Sequence, residues 1–237
     1  MSQVRGLSHV RHGRGFDVVL PARSRPGRFA RHTGRVNVTD QVDRLVELGV
    51  PELAGVSAAQ LHELAGGLVG DGVLSIHPSL VSASKLVPLL ALGAKEGFIV
   101  EDMTDLDEFA PIASLNVPDR PLYLIDGVER GDDFLGWTPN AALPEILRRG
   151  RSPLTIGEGI SWLLQQPGWL EANHCFMCIG SRKVKGTDLD ARTPAIWISR
   201  GTGRDGAARR NAPKVGWCWS GNHHTWLGCA SAAVRCG

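Results

Sequence analysis

The sequence has no long apolar run. A membrane-spanning helix needs about twenty consecutive apolar residues, and the longest windows here, such as residues 86–92, are the size of a core helix. The N-terminus also lacks a charged start followed by an apolar block, so no secretory signal is expected. The chain is therefore expected to stay in the cytoplasm with no membrane partner. Cysteine is sparse: five residues (175, 178, 218, 229 and 236), all in the last third. An odd number without a signal argues for free thiols in a reducing compartment and against a disulfide framework. Lysine is also scarce, with 5 against 21 arginines. Together with 29 glycines this skew reads as GC-rich codon usage and hence a bacterial source. It says nothing about function.

What is present suffices for a sizeable core. At 237 residues and 43% hydrophobic content, the chain does not demand two domains. The formal net charge of +2 is unevenly spread. Residues 1–35 hold eight arginines and one acid, Asp17, a local charge of +7 that leaves −5 for the remainder. Gly, Pro, Ser and Arg dominate this stretch and no helix or strand period runs through it, so it reads as a disordered basic tail. A solvated tail is favoured over an arm that grips nucleic acid. A start codon assigned too far upstream gives the same composition, with Val36 and Val38 as alternative starts. The folded domain is expected over residues 36–237.

From Thr39 onward the pattern is regular. Thr39-Asp40 is expected to cap a helix with Val42, Leu45, Val46 and Leu48 on its apolar face, stopped by Gly49. Ser57 with Gln60 is a capping box for a second helix. Ser82 opens a third through residues 86–92, with Pro88 in its first turns. Thr138-Pro139 caps a fourth that ends at Arg148-Arg149-Gly150. Thr155 with Glu158 is another capping box, opening residues 159–166. Residues 97–100 and 122–125 are short apolar runs read as buried strands. After Asn173 four β-like runs follow, at 174–179, 195–199, 215–219 and 226–234, joined by Gly-, Asn- and Arg-rich loops. The expected fold class is α+β: an α-rich N-terminal part with short strands, then a C-terminal antiparallel β-meander of about four strands.

Several motifs lose to plainer readings. Residues 201–206 read G-x-G-x-x-G, but Pro213 arrives before a useful helix and no acid stands about twenty residues on. A flexible hairpin loop is expected there. Cys175-x-x-Cys178 with Cys218, Cys229, His174, His223 and His224 invites a structural zinc. Residues 174–179 look like a strand, however, and residues three apart in a strand face opposite ways. Two buried thiols and no metal or other cofactor are the expectation, with zinc as the alternative. A thiolate at Cys175 or Cys218 served by His223 or His224 is conceivable, with no geometry to support it. The acids from Glu101 to Glu108 lack calcium-loop spacing and read as a solvated face. The densest chemistry is residues 216–228, where three tryptophans, an asparagine and two histidines surround a glycine turn. Alternation puts Trp217 and Trp219 on one face with Cys218 opposite.

These stretches carry a resemblance. Residues 97–105 (GFIVEDMTD), 130–133 (RGDD), 142–144 (ALP), 150–156 (GRSPLTI), 173–176 (NHCF) and 180–182 (GSR) are part of it. The strongest match is 216–219 (GWCW), continuing to Asn222 and 224–228 (HTWLG). In that order they resemble the uncharacterised bacterial family catalogued as domain of unknown function 5701, over about residues 36–234. That family supplies no catalytic residues. The resemblance implies that residues 173–176 and 217–226 form one shared site. The His223-His224 pair and the long 199–214 connection depart from the family pattern.

The expected function is binding of a small molecule, by a binding protein or an enzyme, in a pocket formed by Asn173, His174, Cys175, Trp217, Trp219, Asn222, His224 and Trp226. Asn173-His174 and Asn222-His224 are expected to lie within side-chain reach of each other. The alternative is a non-enzymatic interaction or structural protein in which the same cluster is core packing.

Overall fold

Local chemistry starts most of the helices. The computed structural model describes residues 37–237, and the expected tail over residues 1–35 lies outside them. Helix α1 is Val38–Glu47; its cap is Asn37, whose side chain accepts from the Asp40 amide at 2.9 Å, two residues before the expected Thr39-Asp40 cap. The short α2, Val50–Ala54, precedes α3, Ala58–Leu64, which opens on the Ser57/Gln60 capping box. The third expected helix is cut short. Ala83–Leu86 (α4) passes into a 3-10 turn, Val87–Leu89, and then into a small hairpin of Ala91–Leu92 with Lys95–Glu96. Pro88 has no amide to donate, and its ring crowds the preceding turn. Helix α5, Pro139–Arg148, begins at Thr138, and α6, Ile156–Gln165, at the Thr155/Glu158 capping box.

The strands used below are β1 (Val73–Ile76), β2 (Phe98–Ile99), β3 (Leu122–Asp126), β4 (Ser152–Pro153), β5 (Cys175–Met177), β6 (Arg192–Ile198), β7 (Pro213–Trp219), β8 (Leu227–Cys229), β9 (Ser231–Ala232) and β10 (Val234–Cys236). A three-stranded antiparallel sheet has the order β1-β3-β10. A five-stranded sheet has the order β8-β5-β6-β7-β2. The fold is thus mixed α and β, and the larger sheet is mixed as well. Its centre, β5-β6-β7, is antiparallel, while β8 on β5 and β2 on β7 are parallel. The expected meander holds only for those central strands. Its two sides would have been open edges, and β2 and β8, from before and after the meander in the chain, cover them.

The expected strand over residues 226–234 is broken into pieces that serve three sheets. β8 completes the larger sheet, β9 pairs with β4, and β10 completes the smaller sheet. Helix α6 packs on both β1 and β6. Its Ile160, Trp162 and Leu163 are buried with Phe176 and Ile196 in one contiguous apolar core. The outer side of β1 is closed by side chains. Gln41 of α1 accepts from the Leu74 amide at 2.7 Å and donates to the Gly72 carbonyl at 2.9 Å, while Ser161 accepts from the Ile76 amide at 3.0 Å. These bonds satisfy edge groups that would otherwise be buried unpaired.

Candidate functional site

β6 and β7 form the longest ladder, from Arg192 opposite Trp219 to Ile198 opposite Pro213. Alternation and register sort the side chains of the large sheet into two faces. Cys175, Met177, Ala195, Trp197, Cys218, Leu227 and Cys229 share one face. Phe176, Ile196, Val215, Trp217 and Trp219 share the other, against which α6 packs.

On the second face, at the end where β6 begins, charged side chains interlock. The Arg192 guanidinium donates to both oxygens of Asp105, at 3.1 and 2.6 Å, and to Asp190 through Nε and Nη2. Lys183 adds an ammonium 2.7 Å from Asp105 and 2.9 Å from Glu108. The Arg192 cation also lies 5.3 Å from the centre of the Phe109 ring. The bonds from Arg192 hold the carboxyls of Asp105 and Asp190 below the ordinary carboxylate range, against the opposing effect of burial. Bidentate arginine–carboxylate geometry of this kind fixes side chains in place. Next to this network lies a solvent-reaching cavity of about 470 Å³, lined by Lys185, Asp188, Leu189, Asp190, Ala191, Arg192 and Trp219. One wall is the hairpin of Val184–Lys185 with Asp188–Leu189, whose two-residue turn uses Gly186 at φ 64°. Another is Trp219, 46% exposed, with the Trp217 ring 4.6 Å away edge-on.

Four of the remaining expected site residues, His174, Cys175, His224 and Trp226, lie at or near the start of the β5–β8 pairing. The Cys175 amide donates to the Trp226 carbonyl at 3.3 Å. The Trp226 ring meets His224 and Trp197, each at 6.2 Å between centres. His174, just before β5, presents its carbonyl and Nδ1 to Arg130 at 3.4 and 3.5 Å. Arg130 in turn holds both oxygens of Asp132 at 2.8 Å. Contacts thus join Cys175 to Trp226 and Trp226 to His224, while His174 is held by Arg130; Trp217 and Trp219 lie on the opposite face from Cys175 and Trp197. Asn173 is an exposed turn residue at φ 63°, which asparagine tolerates. Asn222 is exposed in the turn after β7, its amide bonded to the Trp219 carbonyl at 3.1 Å.

The two histidines differ. His223 makes a 2.7 Å bond through Nδ1 to the Gly136 carbonyl. His224 Nε2 is buried and has no hydrogen-bond partner among the described residues. Burial, then the neighbouring His223, lowers the His224 pKa and keeps the ring neutral. The thiols move away from reactivity. Burial pushes Cys218 and Cys229 up to about 12 and raises Cys175 and Cys178 as well. A nucleophilic cysteine needs the opposite shift. Among the described residues, no group of three or more His, Cys, Asp or Glu side chains is arranged to hold a metal ion.

The G-x-G-x-x-G loop folds into two 3-10 turns, Gly203–Asp205 and Ala207–Arg209, with no helix behind it. It borders a second cavity of about 600 Å³, lined by Glu101, Asp102, Arg204, Asp205, Arg209 and Lys214 among others. Sequence reading took Asp105 for part of a solvated acidic face, quoted Arg130 only within a family-like run, and gave Lys185, Asp188, Asp190 and Arg192 no role. For the last four the signal was charge, and alternating charges in a loop ordinarily mean a solvated surface.

A family model of unknown function matches residues 44–237. No curated protein and no solved structure matches the chain.

Proposed function

The chain belongs to the family of unknown function DUF5701, which brings no activity with it, and on that premise we propose that it binds a small organic molecule in its C-terminal third. The observation that carries this reading is the cavity beside Trp219. Its volume of about 470 Å³ falls within the range of about 300–1,000 Å³ typical of small-molecule sites. It sets a half-exposed indole against charged groups already fixed by their own bonds. Trp217 braces that indole from the same face. A ligand there would find Asp190 and Arg192 in place and would spend little of its binding energy on ordering them.

The group of His174, Cys175, His224 and Trp226, flanked by the exposed amides Asn173 and Asn222, is a second contact region in this proposal. Its support is the unpartnered, buried Nε2 of His224, an acceptor or donor that a ligand would satisfy. A reducing, cytoplasmic setting belongs to the same proposal and is supported by five free cysteines, four of them buried. The rival reading is an interaction or structural protein whose tryptophans only pack. It is favoured by the edge-on contact of Trp226 with Trp197 and by thiols that burial makes inert.

The test is a thermal-shift screen of the full chain against a broad panel of metabolites, repeated on Trp219→Ala and His224→Ala. A compound that stabilises the parent chain and not Trp219→Ala supports the cavity. A compound lost only in His224→Ala moves the ligand to the opposite face and overturns the cavity. Silence across the panel favours the interaction reading.

A further inference from the structure

We infer that the Trp219 cavity takes a neutral, polyhydroxylated ring, a mono- or disaccharide, stacked on the indole face; this rests on the small-molecule reading above. The first argument is charge. The lining carries two cations, Lys185 and Arg192, and two carboxylates, Asp188 and Asp190, so its formal charge is zero. Arg192 and Asp190 already neutralise each other, and Asp105 completes the arginine's bonds. An ionic ligand would gain little from such a balanced wall, and its charge would lose water to enter. A purely apolar ligand would strip water from four charged groups and return no hydrogen bonds.

The second argument is the pairing of surfaces. Two apolar side chains line the cavity, Trp219, 46% exposed, and Leu189, also exposed. Around them stand carboxylate oxygens that only accept and N–H groups that only donate. A sugar ring matches both features. Its axial C–H face is apolar, as an indole wants, and the hydroxyls around its rim both donate to carboxylates and accept from an ammonium or guanidinium. Asp188 and Lys185 are exposed at the hairpin, and among the described residues neither side chain has a hydrogen-bond partner, although the Lys185 charge also reaches Asp190, so their polar ends are open to such hydroxyls. Asp190 and Arg192 are fixed and serve as the floor.

The experiment is titration of the full chain with a panel of neutral mono- and disaccharides, followed by tryptophan fluorescence and calorimetry, alongside a matched panel of charged and aromatic metabolites. At least one neutral sugar should saturate with a Kd on the order of millimolar or tighter. Trp219→Ala should weaken it about tenfold or more, Trp219→Phe less, and Asp188→Asn about tenfold, while Trp137→Phe, at an exposed tryptophan outside both contact regions, leaves it unchanged. Circular dichroism verifies that the variants fold, which is expected of exposed positions. If only a charged or aromatic compound binds, and Trp219→Ala abolishes it, the cavity stands and the sugar assignment falls. If sugar binding survives Trp219→Ala, the assignment to this cavity falls. If neither panel binds, the sugar inference and the small-molecule reading fall together.

Discussion

Glu158 sits in the first turn of α6 with its side chain 0% exposed, where an isolated carboxylate could not remain charged. It does not stand alone. Arg235 of β10 donates to both its oxygens, Tyr123 of β3 donates at 3.0 Å, and the carboxylate accepts from the Thr155 amide at 2.8 Å. Replacing Glu158 with Gln leaves the Arg235 cation buried and unpaired. Urea unfolding should then report a loss of about 3–5 kcal/mol, and a loss below about 1 kcal/mol would mean that the pair is solvated. The sequence flagged Glu158 only as a capping-box residue. Nothing local announced its partner 77 positions away. A second residue-scale expectation concerns acid. Asp105 titrates in the folded chain below its ordinary value of 3.8, chiefly because Arg192 bonds its carboxylate. A carboxyl depressed by folding contributes stability that is present above the unfolded pKa and is lost as the pH falls through the folded one. Stability should therefore fall as the pH drops below about 4, and Asp105→Asn should flatten that limb while lowering stability at neutral pH. An unchanged acid limb in the variant would count against the network.

At the scale of the element, α6 depends on a position with no side chain. A Cβ added to Gly159 would lie 2.5 Å from Cys178 Sγ and 3.2 Å from the Phe176 ring, so the helix reaches the sheet only because that Cβ is absent. Gly159→Ala should cost about 1–3 kcal/mol through overpacking, despite the better helix propensity of alanine. Adding Cys178→Ala should recover part of the loss by removing the clashing sulfur. A double-mutant cycle measures this, and strictly additive effects would refute the contact. The caps of α3, α5 and α6 were readable because a cap is a contact across three residues. The third expected helix was misread because its apolar spacing outweighed Pro88 on paper, while the missing amide prevailed in the backbone. The run at 226–234 looked like one strand because strand propensity is local, whereas the partner that ends each strand is not.

For the whole molecule, residues 227–236 act as a tie between layers. β8, β9 and β10 pair in turn with the larger sheet, with β4 and with the smaller sheet, and Arg235 locks the result to α6. Ending the chain at Ala233 should remove β10 together with the partner of Glu158. Such a chain should lose its single cooperative unfolding transition, as read by denaturant titration with two probes. Coincident transitions at the parent midpoint would show that the tie is dispensable. By itself the sequence determined most helix starts, the strands at the centre of the larger sheet, and the family. Those features rest on spacing, caps and periods that a few neighbouring residues settle. Tertiary structure alone decided that the larger sheet is mixed, that Trp217 and Trp219 face away from Cys175 and Trp197, and that Asp105, Asp190 and Arg192 form one network beside Trp219. The physical reason is that strand pairing and ion pairing join residues by distance in space, up to 87 positions apart along the chain in that network, and no local pattern encodes which distant partner will satisfy a buried group.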